Sequence, residues 1–368
     1  MGHRSFCARA VLAILLAVVS LAPTRVAGQT ASAAAAWTPP RTSDGQPDLQ
    51  GVWANVTSTP LERPARFAGK AELNDEEWKT YSKRQQAARE NRDRRDQKPG
   101  SVTDVGRAYN ALWFPVPGEA LKRTSLIVDP PDGQLPALTP EAMKRFTSFQ
   151  EARGKFASAA TVRGRGDDVE DGTEGGVDGR GSRADNPEDR TLGERCLTSG
   201  LPRLPGAYNN HVQIVQTRDY VVIELEMHHD VRIIPLDGRP GLPQDIRQWH
   251  GDARGRWEGN TLVVETSNFN DKTPFMGSFE QRRLVERFTR VDANTINYEF
   301  TNTDPTTWTR PWTASFPLTS LQSAVGGIDG INTPRIFEYA CHEGNYGLAG
   351  QLSGARADQK AAAKIKSR

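Results

Sequence analysis

Apolar and polar residues alternate along most of the second half of the chain. In Asp219–Met227 (DYVVIELEM), Val221, Ile223, Leu225 and Met227 fall on one side and Tyr220, Val222, Glu224 and Glu226 on the other, the period of a half-buried strand. Two continuations are open. If the strand runs on through His228, His229 and Asp230 into Val231–Leu236, His229 falls on the apolar side and His228, Asp230 and Arg232 fall opposite. If the His-His-Asp stretch is a hairpin tip, that parity resets. Gly255-Arg256-Trp257, a Glu258-Gly259-Asn260 turn and Thr261–Asn268 form a hairpin, with Gly and Asn supplying the positive φ of a tight turn. Arg282–Arg290, Thr295–Asn302, Thr306–Leu318 and Ile336–Cys341 read as further strands. Short strands, regular turns and no βαβ rhythm predict a mainly β fold. The expected form is an antiparallel up-and-down, lipocalin- or calycin-like barrel or a strongly curved sheet, with about eight to ten strands.

The first half adds two peripheral helices. Asn74 with Glu77 three residues on is a capping box, so a helix runs from Asp75 into the nineties, with Trp78 and Tyr81 its apolar pair. Thr139-Pro140-Glu141 starts the second, whose Met143, Phe146 and Phe149 form a buried stripe. Asp48-Leu49-Gln50-Gly51-Val52-Trp53 opens the first strand, and Gly-x-Trp there is how lipocalin-type barrels begin, the Trp plugging the base. Residues 29–48 are an extended lead-in, and 49–353 a single β-rich domain. Within it, 154–189 is a Gly-, Arg- and Asp-rich excursion whose Asp167, Asp171 and Gly172 only partly match a calcium loop. Residues 354–368 form a small, basic tail.

Residues 1–28 have the form of a cleaved export signal: His3, Arg4 and Arg9, then the apolar run Ala10–Ala22, then Val26-Ala27-Gly28. They carry Arg4, Arg9 and Arg25 and no acid. Their removal turns 47 basic and 45 acidic residues into 44 and 45, a net of −1. Charge therefore offers no footprint for nucleic acid, and the mature chain has no membrane span. Its two cysteines, Cys196 and Cys341, are expected to pair in an oxidising compartment, periplasmic or extracellular.

Four phrases taken together, Trp37–Arg41 (WTPPR), Pro47–Trp53 (PDLQGVW), Arg254–Phe269 (RGRWEGNTLVVETSNF) and Glu338–Tyr346 (EYACHEGNY), resemble a family of exported bacterial proteins of about this length. The resemblance covers most of the mature chain. It implies export and a shared β-rich fold, and it supplies no activity and so no catalytic residues. Its phrases include a His-Asp pair after the Glu-Met strand end, here His229-Asp230, and the run Cys341–Asn345.

Chemistry is sought among the histidines and the carboxylates within strands. His229 and His342 each neighbour a carboxylate, Asp230 and Glu343, and each closes an apolar strand. These four are the expected catalytic set, with His342 foremost because Cys341 would hold its backbone. The opposing reading is that both histidines cap strand ends. Glu224, Glu226, Glu265, Glu286 and Glu338 lie in strands, with Arg256, Arg287 and Arg310 as expected partners; Glu338 and Arg256 are taken as ligand contacts. Trp308, Arg310 and Trp312 share one face, as a stacking platform for a sugar or aromatic ligand or as plain end packing. No metal set is expected, and the absence of a P-loop, dinucleotide fingerprint, nucleophile elbow or HExxH argues for no cofactor. The expected function is binding of a small, partly apolar or aromatic molecule by an exported barrel. It takes the form of an acid–base enzyme of hydratase, isomerase or hydrolase type, of a lipocalin-like carrier, or of a carbohydrate-binding, envelope-associated module.

Overall fold

A computed structural model describes residues 37–93, 120–154, 186–206, 209–321, 335–343 and 345–366. Residues 1–28, expected to be an export signal, residues 29–36 of the expected lead-in and residues 155–185 of the expected excursion, with Asp167 and Asp171, lie outside them. The barrel and the elements packed on it belong to the unit Pro39–Arg368.

The strands are β1 (Gly51–Ala54), β2 (Ile127–Asp129), β3 (His211–Gln216), β4 (Tyr220–Leu225), β5 (Asp230–Pro235), β6 (Asp252–Glu258), β7 (Thr261–Ser267), β8 (Arg283–Asp292), β9 (Thr295–Thr303) and β10 (Trp312–Ser320). They form one antiparallel sheet in the order β5-β4-β3-β1-β10-β9-β8-β7-β6. The start of β10 also pairs with β2, on the edge that its end shares with β1. The sheet curls into a nearly closed barrel as the sequence predicts, its first and last strands meeting by packing. A Cβ on Gly255 in β6 would stand 2.8 Å from Ile234 and 2.7 Å from Leu236 at the end of β5. His250, just before β6, meets Asp230 at the start of β5. The two strands therefore run side by side in the same direction, which the long 236–251 connection makes possible.

Strand direction sorts the connections. Tight turns at Thr217–Asp219, Gly259–Asn260 and Ala293–Asn294 gather at one end. There Trp53 is buried, its indole N–H donating to Leu49 O (2.9 Å) beneath the Arg290 guanidinium. The other end holds the chain after β1, the turns after β4 and β9, and the loops before β3, β6 and β8. That is where long, chemically varied segments converge.

Alternation fills the interior. Val212, Ile214, Val221, Ile223, Leu225, Leu262, Val264, Leu284, Phe288, Ile296, Phe300, Ala314, Phe316 and Leu318 are buried in one continuous core. Edge-to-face rings of Tyr298, Phe300, Phe316 and Trp312 cross its centre. Arg232 and Glu286 bring a charged pair into this core. Arg232 donates Nη1 and Nη2 to Glu286 (2.9 and 2.5 Å) and Nη2 to Thr266 Oγ1, while Tyr298 donates its hydroxyl to Glu286 (2.9 Å). Burial lowers the Arg232 pKa, but Glu286 more than offsets it, so the guanidinium stays charged. Burial and then Glu286 push the Tyr298 phenol well above its ordinary value. The cavity beside this network is about 30 Å³, room for one water.

The hairpin-tip reading of His228–Asp230 is the correct one. A 3-10 turn at Met227–His229, with His228 at φ 62° and His229 at φ 53°, resets the parity. Asp230, Arg232 and Ile234 then face inward, and Val231 and Ile233 outward. Of the five glutamates expected in strands, Glu286 alone, among the described residues, pairs with an arginine inside the barrel, and that partner is Arg232 rather than Arg256, Arg287 or Arg310.

Among the described residues three helices lie outside the barrel, one more than expected: α1 (Asp75–Asp93), α2 (Pro140–Gly154) and α3 (Tyr346–Lys366). Asn74 and Glu77 make both capping-box bonds at α1. Thr139 Oγ1 accepts from Ala142 N–H at α2; of the expected stripe Met143 is half exposed, Phe146 is half-buried and the Phe149 side chain lies outside the described residues, while Ala142 is buried. The supposed tail is α3 as far as Lys366. Asn345 Oδ1 accepts from Leu348 N–H in its first turn.

Candidate functional site

The site lies at the loop-bearing end and is assembled by the Cys196–Cys341 disulfide. That bond clamps segment 190–200 to residues 335–345, and Asn345 Nδ2 adds a bond to Glu194 O (3.1 Å). Glu194 caps its own turn by accepting from Thr191 N–H, and it pairs with Arg190. Burial raises its pKa, but the Arg190 and Thr191 donors outweigh this and hold the carboxyl below its usual range.

Ile336–Cys341 is not a strand. Cys341 N–H turns back to Tyr339 O (2.8 Å), and two earlier amides meet side chains in place of a neighbouring strand. Phe337 N–H donates to Glu226 Oε1 (3.1 Å), and Tyr339 N–H donates to His229 Nε2 (2.9 Å). Glu226 is fully buried, and its other oxygen lies 2.8 Å from His211 Nδ1. The Tyr339 ring meets the His228 ring edge-on at 4.9 Å.

Two hydroxyl–imidazole pairs stand next to each other on this clamp. Ser199 Oγ is 2.9 Å from His228 Nδ1, while His228 Nε2 faces Gly193 O at 3.4 Å. A carbonyl only accepts, so the neutral ring that suits Gly193 O carries its proton on Nε2, and in that tautomer Nδ1 accepts from Ser199 O–H. In the neighbouring pair, Thr198 O–H donates to Asp230 Oδ2 (2.6 Å), and Thr198 Oγ1 accepts from Gly200 N–H (2.9 Å). Its hydrogen is thus committed, so His250 Nε2, at 2.8 Å, is a donor to Thr198 Oγ1, with Asp230 Oδ1 3.5 Å away.

The backbone here is held in sparsely populated conformations. Cys196 (φ 57°), His228 and His229 all lie in the left-handed region, which costs L-residues about 1–3 kcal/mol each unless the surroundings enforce it. Disulfide, side-chain acceptors and strand ends enforce it here.

Of the expected catalytic residues, Asp230 is in this cluster and His229 is at its edge, held as acceptor for Tyr339 N–H. His342 and Glu343 are exposed in the turn after Cys341 and line neither hydroxyl pair nor the interior cavity. They close no strand, because the segment before them has none. The ligand residues do not gather. Trp308 and Trp312 are buried core residues in edge-to-face contact, Trp308 donating its indole N–H to Ser278 Oγ (3.1 Å). Arg310 leaves them for Asp129 at the surface, since β10 begins only at Trp312 and the Asp304–Thr307 turn rotates the chain before it. Arg256 pairs with Glu258 and Glu265 on the outer face, and Glu338 is exposed. Ser199, Thr198, His228 and His250 are not among the expected residues. The one sequence signal for them is Thr198-Ser199-Gly200 following a bridged cysteine.

Among the described residues no group of three or more His, Cys, Asp or Glu is placed to hold a metal, and no helix is long and apolar enough to cross a membrane. Comparison with protein-family models, with curated proteins and with solved structures gave no match.

Proposed function

We propose that the protein is an exported, cofactor-independent acid–base enzyme of hydrolytic type, acting on a small, partly apolar molecule at the loop-bearing rim. Ser199 is the nucleophile and His228 its general base. The observation that carries this is the 2.9 Å contact of Ser199 Oγ with His228 Nδ1, which accepts in the neutral tautomer that donates Nε2–H to Gly193 O. In the reaction, Ser199 Oγ bonds to a substrate carbonyl carbon as its proton passes to His228 Nδ1. The bond to the leaving alcohol breaks, and the imidazolium returns the proton to that oxygen. Water, deprotonated by the same nitrogen, then releases the acid and restores Ser199. His250 and Asp230, one residue away through Thr198, keep a second proton donor beside the site.

Three features support the placement. Both Ser199 and His228 are half-buried, so substrate reaches them while their pairing is retained. Leu197 and Phe337, both more than 40% exposed, give apolar surface beside them for a partly apolar or aromatic substrate. The cavity beside Arg232 and Glu286 has room for about one water, whereas ligand pockets usually need several hundred Å³, so a carried molecule is better placed at the rim than in the lumen. The disulfide supports a periplasmic or extracellular location.

Turnover of a panel of short-chain esters, lactones and amides tests the proposal. Ser199→Ala and His228→Ala should each reduce hydrolysis by ~10²–10⁴-fold, with unfolding midpoints near that of the parent. Equal turnover in parent and both variants would exclude this pair.

A further inference from the structure

Arg282, immediately before β8, is 1% exposed, and among the described residues none of its Nε, Nη1 and Nη2 has a hydrogen-bond partner. The two carboxylates that act on it electrostatically are Asp304 and Glu286, and both are occupied. Asp304 accepts from Thr306 N–H and O–H on one oxygen, and from Thr307 O–H and Phe279 N–H on the other. Glu286 is taken by Arg232 and Tyr298. The guanidinium carbon lies 3.9 Å from the Phe269 ring centre and 5.8 Å from that of Phe275. Aromatic faces accommodate the cation's flat side and leave its in-plane N–H groups unanswered. A buried charge without hydrogen bonds is strongly disfavoured unless something supplies them.

We propose that Arg282 anchors a buried site for a small monovalent anion, taken up as a halide or as a short-chain carboxylate. In-plane donors suit an anion bound at the guanidinium edge, the geometry of bidentate carboxylate recognition. The long-range fields of Asp304 and Glu286 favour a single negative charge over a double one. Segment 268–281 covers the site. Arg247 ties it down through Glu280 O (2.7 Å), and Thr273 through Trp249 O (2.8 Å). The ligand therefore enters when this segment lifts. The site is independent of Ser199 and His228.

The test is the thermal unfolding midpoint of the full chain as sodium gluconate, a bulky anion, is replaced by chloride, bromide, formate or acetate at constant ionic strength. The parent should show a saturable rise of roughly 5 °C with at least one of them, and Arg282→Met should show none. A rise confined to chloride and bromide assigns a halide; one confined to formate and acetate assigns a carboxylate. A parent midpoint indifferent to all four anions, or an equal rise in Arg282→Met, overturns the proposal. Should Arg282→Met fail to fold, crystals of the parent grown in bromide and in formate decide: an anion within hydrogen-bond reach of Nε or Nη supports the site, and its absence in both overturns it.

Discussion

Arg232 and Glu286 form an ion pair in the middle of a barrel otherwise closed by aromatic and aliphatic side chains. Each neutralises a charge the other would leave stranded. Arg232→Met alone should destabilise the fold by ~3–5 kcal/mol, because Glu286 then keeps only the Tyr298 hydrogen bond. Arg232→Met with Glu286→Leu should recover much of that loss, since an apolar pair of similar volume carries no desolvation penalty. Urea denaturation of the two variants checks both. His229 shows the same dependence on surroundings at smaller scale. The imidazole expected to be catalytic spends Nε2 on the Tyr339 amide, whereas its neighbour His228, turned by a left-handed backbone, keeps Nδ1 for a hydroxyl.

At the scale of elements, strand periodicity carried most of the fold because β3 to β10 each bury one face, and a period of two is visible residue by residue. It failed where pairing is not strand to strand. Ile336–Cys341 has a strand's composition, but Phe337 and Tyr339 N–H find their acceptors on the Glu226 and His229 side chains, contacts between residues some 110 positions apart in sequence. The site itself was illegible for a related reason. Ser199, Thr198, His228 and His250 carry no spacing motif, and only the clamp and the parallel approach of β5 to β6 bring them together. That approach depends on Gly255, so Gly255→Val should cost ~1–3 kcal/mol by overpacking Ile234 and Leu236, measured by the same denaturation. The clamp depends on Glu194. Its pKa is lowered in the fold, so its contribution is present above its unfolded value of 4.5 and is lost as pH falls through the lower folded value. The acid limb of a stability–pH curve should therefore flatten in Glu194→Gln while the curve above pH 6 keeps its shape.

For the whole molecule, the barrel divides labour between its ends. One is sealed by tight turns, Trp53 and Arg290; the other gathers the loops, the disulfide, two hydroxyl–imidazole pairs and the unanswered Arg282. Among the described residues the lumen between them is packed, which is why the proposed chemistry is placed at the rim, and the disulfide, closing a loop of 145 residues, ties that rim together. The most direct measurement of the central claim is labelling of the folded, oxidised protein with a fluorophosphonate, read by peptide mass mapping. Ser199 Oγ should bond to phosphorus with loss of fluoride, its proton passing to His228 Nδ1. The account predicts one phosphonylated residue, Ser199, with labelling at least ~10²-fold slower in His228→Ala. A parent protein left unlabelled at Ser199, or one labelled there at the same rate without His228, would contradict it.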